Sequence, residues 1–421
     1  MDIQQLQALR PALSEYAATF DACIKTAPSR QHLRTYLAGQ LGPLQRKSVE
    51  PMALEAGVPP RTLQEFLAMH RWDEQAVAQR HRALVQRHHA DANAIAVIDE
   101  TSFAKKGDKS AGVQRQYCGA LGKVDNCVVT VHLGYVAGSF HALLDGDLFL
   151  PEESWGQHRE RCAEAGIPEA VVYRPKWQIA LALLQRALDE GVHVRWLTAD
   201  EAYGRVAPFR QAVAGAGLLY VVEIPSDVTG WSRGPTVEPA GTVTRAGRTL
   251  RKARVPPGER EARPVAHLWQ RGGPSWRLYR VKDTDKGPIV WRVRETRFFP
   301  NDEGVPGEAL RLIVAQEVLT GEMKYFLSNA PVEVPLKVLL CVAFARWHIE
   351  RLFEEGKGEV GFDHFEVRKY QPLMRHLVLT MLSLYFLAEQ TARLRGEKPA
   401  LDCLPSQGRR RGTARSGTAT P

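Results

Sequence analysis

Arg346, Glu350, Glu354 and Lys357 recur three or four residues apart, so on a helix they share one face and set carboxylates between two cations. The helical pattern spans residues 335–360, with Val338, Leu339, Val342, Trp347, Ile349 and Phe353 forming its apolar side. Alone, this is also the pattern of a salt-bridged solvent face. Two distant aspartates change its meaning. Asp99 follows the apolar run 94–98 and Asp200 follows the run 192–198, as carboxylates at the tips of buried strands would. In open α/β sheets, ligands and catalytic groups gather at the carboxyl ends of strands. Two carboxylates there and a third from a helix make a hard, oxygen-rich site suited to Mg²⁺ or Mn²⁺. A metal pair roughly 3.5–4 Å apart serves phosphodiester cleavage and strand transfer. An aspartate after a strand is also a common helix cap, so neither is decisive alone. Glu354 and Glu355 compete with Glu350 for the third position. Glu100 and Glu201, each beside an aspartate, read as peripheral.

The elements that must hold these groups follow from periodicity. Residues 1–90 read as helical, with Leu6, Leu9 and Leu13 and then Leu33, Tyr36, Leu37 and Leu41 at helical spacing. Within them, residues 49–67 read as two helices around a turn at Gly57, the outline of a helix-turn-helix or of an ordinary helical hairpin. Arg46, Lys47 and Arg61 make DNA contact there plausible. Residues 91–224 alternate strands (94–98, 128–135, 139–150, 192–198, 218–224) with helices (176–190, 206–214), which means an α/β sheet. Residues 101–112 read as a polar loop. Residues 225–334 become a β-rich insertion of short runs punctuated by Gly and Pro. Helices return over 335–398, and 399–421 form a basic tail expected to be disordered.

The chain has 421 residues, 44% of them hydrophobic, enough for a sizeable core. No apolar run approaches a membrane span and the N-terminus does not resemble a signal peptide, so a cytoplasmic, nucleoid-associated protein is expected. Cys23, Cys118, Cys127, Cys162, Cys341 and Cys403 are scattered without metal-ligand spacing and read as reduced thiols. The net charge is +9. Residues 241–300 hold fifteen Lys and Arg against five Asp and Glu. That local excess marks the insertion as a phosphate-binding surface, with DNA as partner. The segment 119–123 is too short for a phosphate-binding P-loop, Asp99 lacks the second aspartate of aspartyl-phosphate hydrolases, and no HExxH frame supports a zinc hydrolase.

Val97-Ile-Asp-Glu-Thr, Gln114-Arg-Gln-Tyr-Cys-Gly, Leu197-Thr-Ala-Asp-Glu-Ala-Tyr-Gly and Arg346-Trp-His-Ile-Glu-Arg-Leu-Phe-Glu-Glu-Gly-Lys together resemble the DDE superfamily of bacterial insertion-sequence transposases. The resemblance is to its branch with a β-rich insertion and a Tyr-Arg-Glu-Lys signature, and it extends over roughly 94–387. Arg346, Glu350 and Lys357 match that signature, while Ala343 stands at its tyrosine position. The resemblance implies an RNase H-like mixed-sheet core with Asp99, Asp200 and Glu350 as catalytic metal ligands. Arg346 and Lys357 would hold phosphates. Lys105, Lys106 and Arg115 are further candidate DNA contacts, and Trp231 is a candidate to stack on an extruded base. The resemblance also implies a homodimer on paired transposon ends, with Mg²⁺ (or Mn²⁺) as cofactor and no covalent intermediate.

Overall fold

The structure is a computed structural model that describes residues 3–240, 253–268, 275–284 and 287–395. The expected basic tail at 399–421 and parts of the basic insertion lie outside the described residues.

Five helices open the chain: α1 (Ile3–Ala18), α2 (Ala27–Leu41), α3 (Val49–Glu55), α4 (Pro60–Ala68) and α5 (Glu74–His89). The Thr26 hydroxyl accepts from the Ser29 amide to cap α2, and the Asp73 carboxylate accepts from Gln75 and Ala76 to cap α5. Between α3 and α4, Gly57 takes φ +69°, which a side chain would strain. This bundle packs on the long C-terminal helix through buried polar pairs. Tyr36 meets His376 at 2.8 Å and Gln40 donates to Thr380 at 2.9 Å. Lys47, considered above for DNA contact, is instead buried and donates to the carbonyls of Gln40 and Gly42. Its ammonium closes the C-terminal end of α2.

The α/β part follows with β1 (Ile95–Ala104), β2 (Gln114–Cys118), β3 (Lys123–Ala137) and β4 (Phe140–Leu148). Next come α6 (Arg159–Glu164), α7 (Lys176–Asp189), β5 (Trp196–Ala199), α8 (Glu201–Gly204), α9 (Ala207–Gly215) and β6 (Leu219–Ile224). The order β4-β3-β1-β5-β6, antiparallel on the first side of β1 and parallel on the other, is that of an RNase H-like sheet. Two expectations need correcting. The polar loop at 101–112 begins late, because β1 continues to Ala104 along β3. Asp99 therefore lies within a strand, just past Ile98, where the parallel partner β5 ends. In addition, β5 starts only at Trp196, opposite Ile95.

The insertion contributes β7 (Thr229–Trp231), β8 (Arg263–Pro264), α10 (Val265–Leu268), β9 (Arg277–Thr284), β10 (Gly287–Asp302), β11 (Val305–Pro306), β12 (Leu310–Glu317) and β13 (Met323–Ser328). It extends the core sheet directly: β13 pairs antiparallel with β6, β12 with β13 and β10 with β12. The chain ends in α11 (Leu336–Phe344), α12 (Trp347–Val360) and α13 (Tyr370–Arg395). The continuous helix expected over 335–360 is thus two. At the junction the bonds tighten to the three-residue spacing, His348 N–H to Ala345 O and Ile349 N–H to Arg346 O. Gly361, at φ +69°, ends α12.

Alternation along the strands decides which face each side chain joins. Ile95 and Val97 join the core under α12, whereas Ala96 and Ile98 join the core under α7 and α9. Among the described residues, no helix is long and apolar enough to cross a membrane.

Candidate active site

Period-two alternation carries Asp99 onto the α12 face after Ile95 and Val97. Trp196 on β5 and Val221 on β6 share that face, which places Asp200 and Glu223 there by the same count. Glu100 turns to the opposite face, where its carboxylate meets Lys176 of α7 at 2.5 Å and the Tyr203 hydroxyl at 3.4 Å.

The carboxylates converge on one guanidinium. Arg346 Nη1 donates to Asp99 Oδ2 at 2.9 Å, and its Nη2 sits 2.7 Å from Glu350 Oε1. Its Nε lies 3.9 Å from Glu223 Oε2. Burial opposes the Arg346 charge, but Asp99, Glu350, Glu223 and Asp200 outweigh it and raise its pKa. Asp200 caps α8, with Oδ1 accepting from Ala202 at 3.0 Å and Tyr203 at 3.4 Å. The capping role left open above is therefore real, and it coexists with a place beside Arg346.

Asp99 is only 8% exposed, and burial pushes its pKa up to about 7. Arg346 and the Glu100 amide pull it down, while Asp200 and Glu350 push it further up. Burial also raises Asp200, with Arg346 opposing and Glu100 reinforcing. A buried Asp99 with the partly exposed Asp200 and Glu350 close by is a concentration of negative charge of the kind a doubly charged cation with oxygen ligands relieves. Among the described residues, no group of three or more His, Cys, Asp or Glu side chains is arranged as it stands to hold a metal ion. Asp99 and Glu350 face Arg346 instead of each other; their oxygens are donors of the kind a hard cation takes.

The competing helix carboxylates stand elsewhere: Glu354 is exposed, and Glu355 pairs with Arg351 at 2.6 Å. Lys357 is half-buried, donates to the Ser102 carbonyl at 3.3 Å and lies 5.7 Å from the Phe103 ring. It flanks β1 beyond Asp99. Lys105 is tied to the Phe365 carbonyl at 2.7 Å and sits 3.3 Å over that ring, its pKa lowered by burial to about 8. Lys106 and Arg115 are exposed. Trp231 is a correction. It is 5% exposed, lies opposite Phe299 of β10 and donates its indole N–H to the Arg260 carbonyl, so its ring is not available to a base.

The sequence reading missed Glu223, which Lys324 grips at 2.9 and 3.2 Å. The alternation along residues 219–224 was the signal that could have found it. Gly204, the last residue of the Asp-Glu-Ala-Tyr-Gly motif, is also explained. A Cβ there would lie 1.8 Å from the Glu223 carbonyl oxygen. Gly204→Ala must therefore push α8, with its Asp200 cap, off β6. It is expected to cost about 3 kcal/mol or more, the upper range for overpacking. Chemical unfolding against the parent checks this, and an unchanged midpoint would refute the close approach.

Beside Arg346 lies a cavity of about 700 Å³ lined in part by Trp291, Phe326, Phe344, Glu223 and Glu350.

Two comparisons with known proteins bear on this site. The family profile described as DDE superfamily endonuclease matches residues 19–288, which takes in Asp99 and Asp200 and stops before α12. A Microchaete diplosiphon protein named as the probable transposase for insertion sequence element IS701 is 29% identical over 218 residues. That match covers 51% of this chain and 54% of the relative, about half of each.

Proposed function

Because this chain belongs to the DDE superfamily of endonucleases, we propose that it is a transposase that cuts DNA at the ends of its element and joins them to a target. The observation that carries this reading is the gathering of Asp99, Glu350 and Asp200, from β1, α12 and the end of β5, around Arg346. The name of the Microchaete diplosiphon relative supports it.

In this proposal Asp99, Asp200 and Glu350 hold divalent cations, Mg²⁺ or Mn²⁺. A bound pair supplies the charge that activates a water or a 3′ hydroxyl and stabilises the leaving oxygen. Asp99 and Asp200 orient the site because strand pairing and the α8 cap fix them. Arg346 bonds Asp99 itself and Lys357 reaches Ser102 further along β1, where their charge receives the phosphates flanking the scissile bond. Lys106 and Arg115 carry the DNA backbone further out. The α3–α4 pair and the basic insertion add sequence-dependent and general affinity for the element's ends. The active form is a homodimer on paired ends. The test is incubation of labelled end DNA with a supercoiled target and Mg²⁺. Joined products support the reading, and nicking without joining would make the protein a nuclease only.

The raised Asp99 pKa sets a pH dependence. The folded chain keeps this proton up to about pH 7, whereas an ordinary aspartate loses it near 3.8. The resulting stability is full below about pH 3.8 and is lost as pH rises through about 7. In EDTA, the unfolding-temperature advantage of the parent over Asp99→Asn is therefore expected to be larger at pH 5 than at pH 8. Equal differences at both would contradict the shift. Cation binding runs the other way, since Asp99 ligates only when ionised.

A further inference from the structure

We propose that Glu223 is a positioning residue that takes over Arg346 when a divalent cation claims Asp99 and Glu350; the inference rests on the carboxylate triad proposed above. The three guanidinium nitrogens each face a different acid: Asp99 at 2.9 Å, Glu350 at 2.7 Å and Glu223 at 3.9 Å. Asp99 and Glu350 belong to the proposed cation set and Glu223 does not. A cation drawn between the first two repels the guanidinium and competes with it for the same carboxylate oxygens. Of the three contacts, the one to Glu223 survives, and it has room to shorten.

Glu223 is built to receive that arginine. Lys324 of β13 holds both of its oxygens, and the carbonyl of the same residue lies against Gly204 of α8, so the strand end is fixed. The cavity beside Arg346, also lined by Glu223 and Lys324, gives the guanidinium space to withdraw. Withdrawn to Glu223, Arg346 still stands next to the site and presents its remaining N–H groups to a phosphate. Glu223 sits on the core strand that carries the insertion, with Phe326 of β13 directly opposite. Lys324 of β13, a strand paired to both β6 and β12, competes with Arg346 for the Glu223 carboxylate and so sets how far the arginine is drawn over.

The test is Mn²⁺ affinity of the full chain without DNA, read from the electron paramagnetic resonance of free Mn²⁺. The proteins compared are the parent, Glu223→Gln, Arg346→Gln and the double variant. With its alternative acceptor gone, Arg346 stays on Asp99 and Glu350, so Glu223→Gln is expected to weaken Mn²⁺ about tenfold. In the Arg346→Gln background the same change is expected to have less than about a twofold effect, the non-additivity of residues acting through one another. An equal loss in both backgrounds would overturn the proposal, because Glu223 would then act as a ligand or by its charge alone. Absence of Mn²⁺ binding in every protein, Arg346→Gln included, would overturn the triad reading and this inference with it. If Glu223→Gln does not fold, Lys324→Met replaces it. Freed from lysine, Glu223 should hold Arg346 better and tighten Mn²⁺ severalfold in the parent background but not in Arg346→Gln. No difference between those backgrounds would count against the role.

Discussion

Asp99→Asn is expected to reduce cation-dependent nicking of end DNA by about a thousandfold or more while leaving DNA binding within about threefold. Loss of a residue that merely orients a metal ligand already costs about 10–100-fold, and Asp99 is placed as a ligand itself. Its substitution removes the negative charge opposite Arg346 Nη1 and leaves the guanidinium charged, with less competition for a phosphate. That is why binding survives when cutting does not. Single-turnover cleavage and a separate binding titration distinguish the two. Cutting within tenfold of the parent would remove Asp99 from the chemistry.

The second large effect concerns stability. Arg82 on α5 is 1% exposed and donates to Asp145 of β4 at 2.8 Å and to Glu190 at 2.6 and 2.8 Å. Arg186 adds an ion pair to the same Asp145 at 2.9 Å. Burial raises the Asp145 pKa, and Arg82 and then Arg186 pull it back. Arg82→Leu leaves Asp145 only the partly exposed Arg186 and the Gly146 amide, unpairs Glu190, and is expected to cost about 3–5 kcal/mol of folding free energy. Arg82→Leu with Asp145→Asn removes the uncompensated charge and should recover at least half of the loss. Denaturant unfolding of the three proteins reads this directly. A loss below about 1 kcal/mol for the single variant would show that Arg186 compensates Asp145 without Arg82.

These two cases show what was legible in the sequence. Asp99 and Asp200 stood out only in combination, because an acid after an apolar run is also a common helix cap, as Asp200 is here; the succession of strands and helices pointed to the α/β class. The end of β1 was not visible. Residues 101–104 are mostly polar or small, yet they stay in the strand because β3 continues to pair with them. The break between α11 and α12 was hidden because neither proline nor glycine marks it, and only the position of Asp99 gives Arg346 a reason to sit there. Glu223 was readable by counting alternate residues back to Val221, but its importance depends on Lys324, about a hundred residues away. Trp231 misled because aromatic residues in a basic segment suggest stacking, whereas the strand β10 covers it. Arg82 gave no signal. A buried arginine and a surface arginine read alike until the partner strand is known.

Glu350 bears the central claim, since it comes from α12, outside the stretch matched by the family profile. The most direct measurement is Mg²⁺-dependent cleavage of labelled DNA carrying the element's own end, with the parent protein beside Glu350→Gln. Cleavage by the parent alone, with both proteins binding the DNA, is the predicted result. Equal cleavage by both would contradict the account and send the third carboxylate elsewhere.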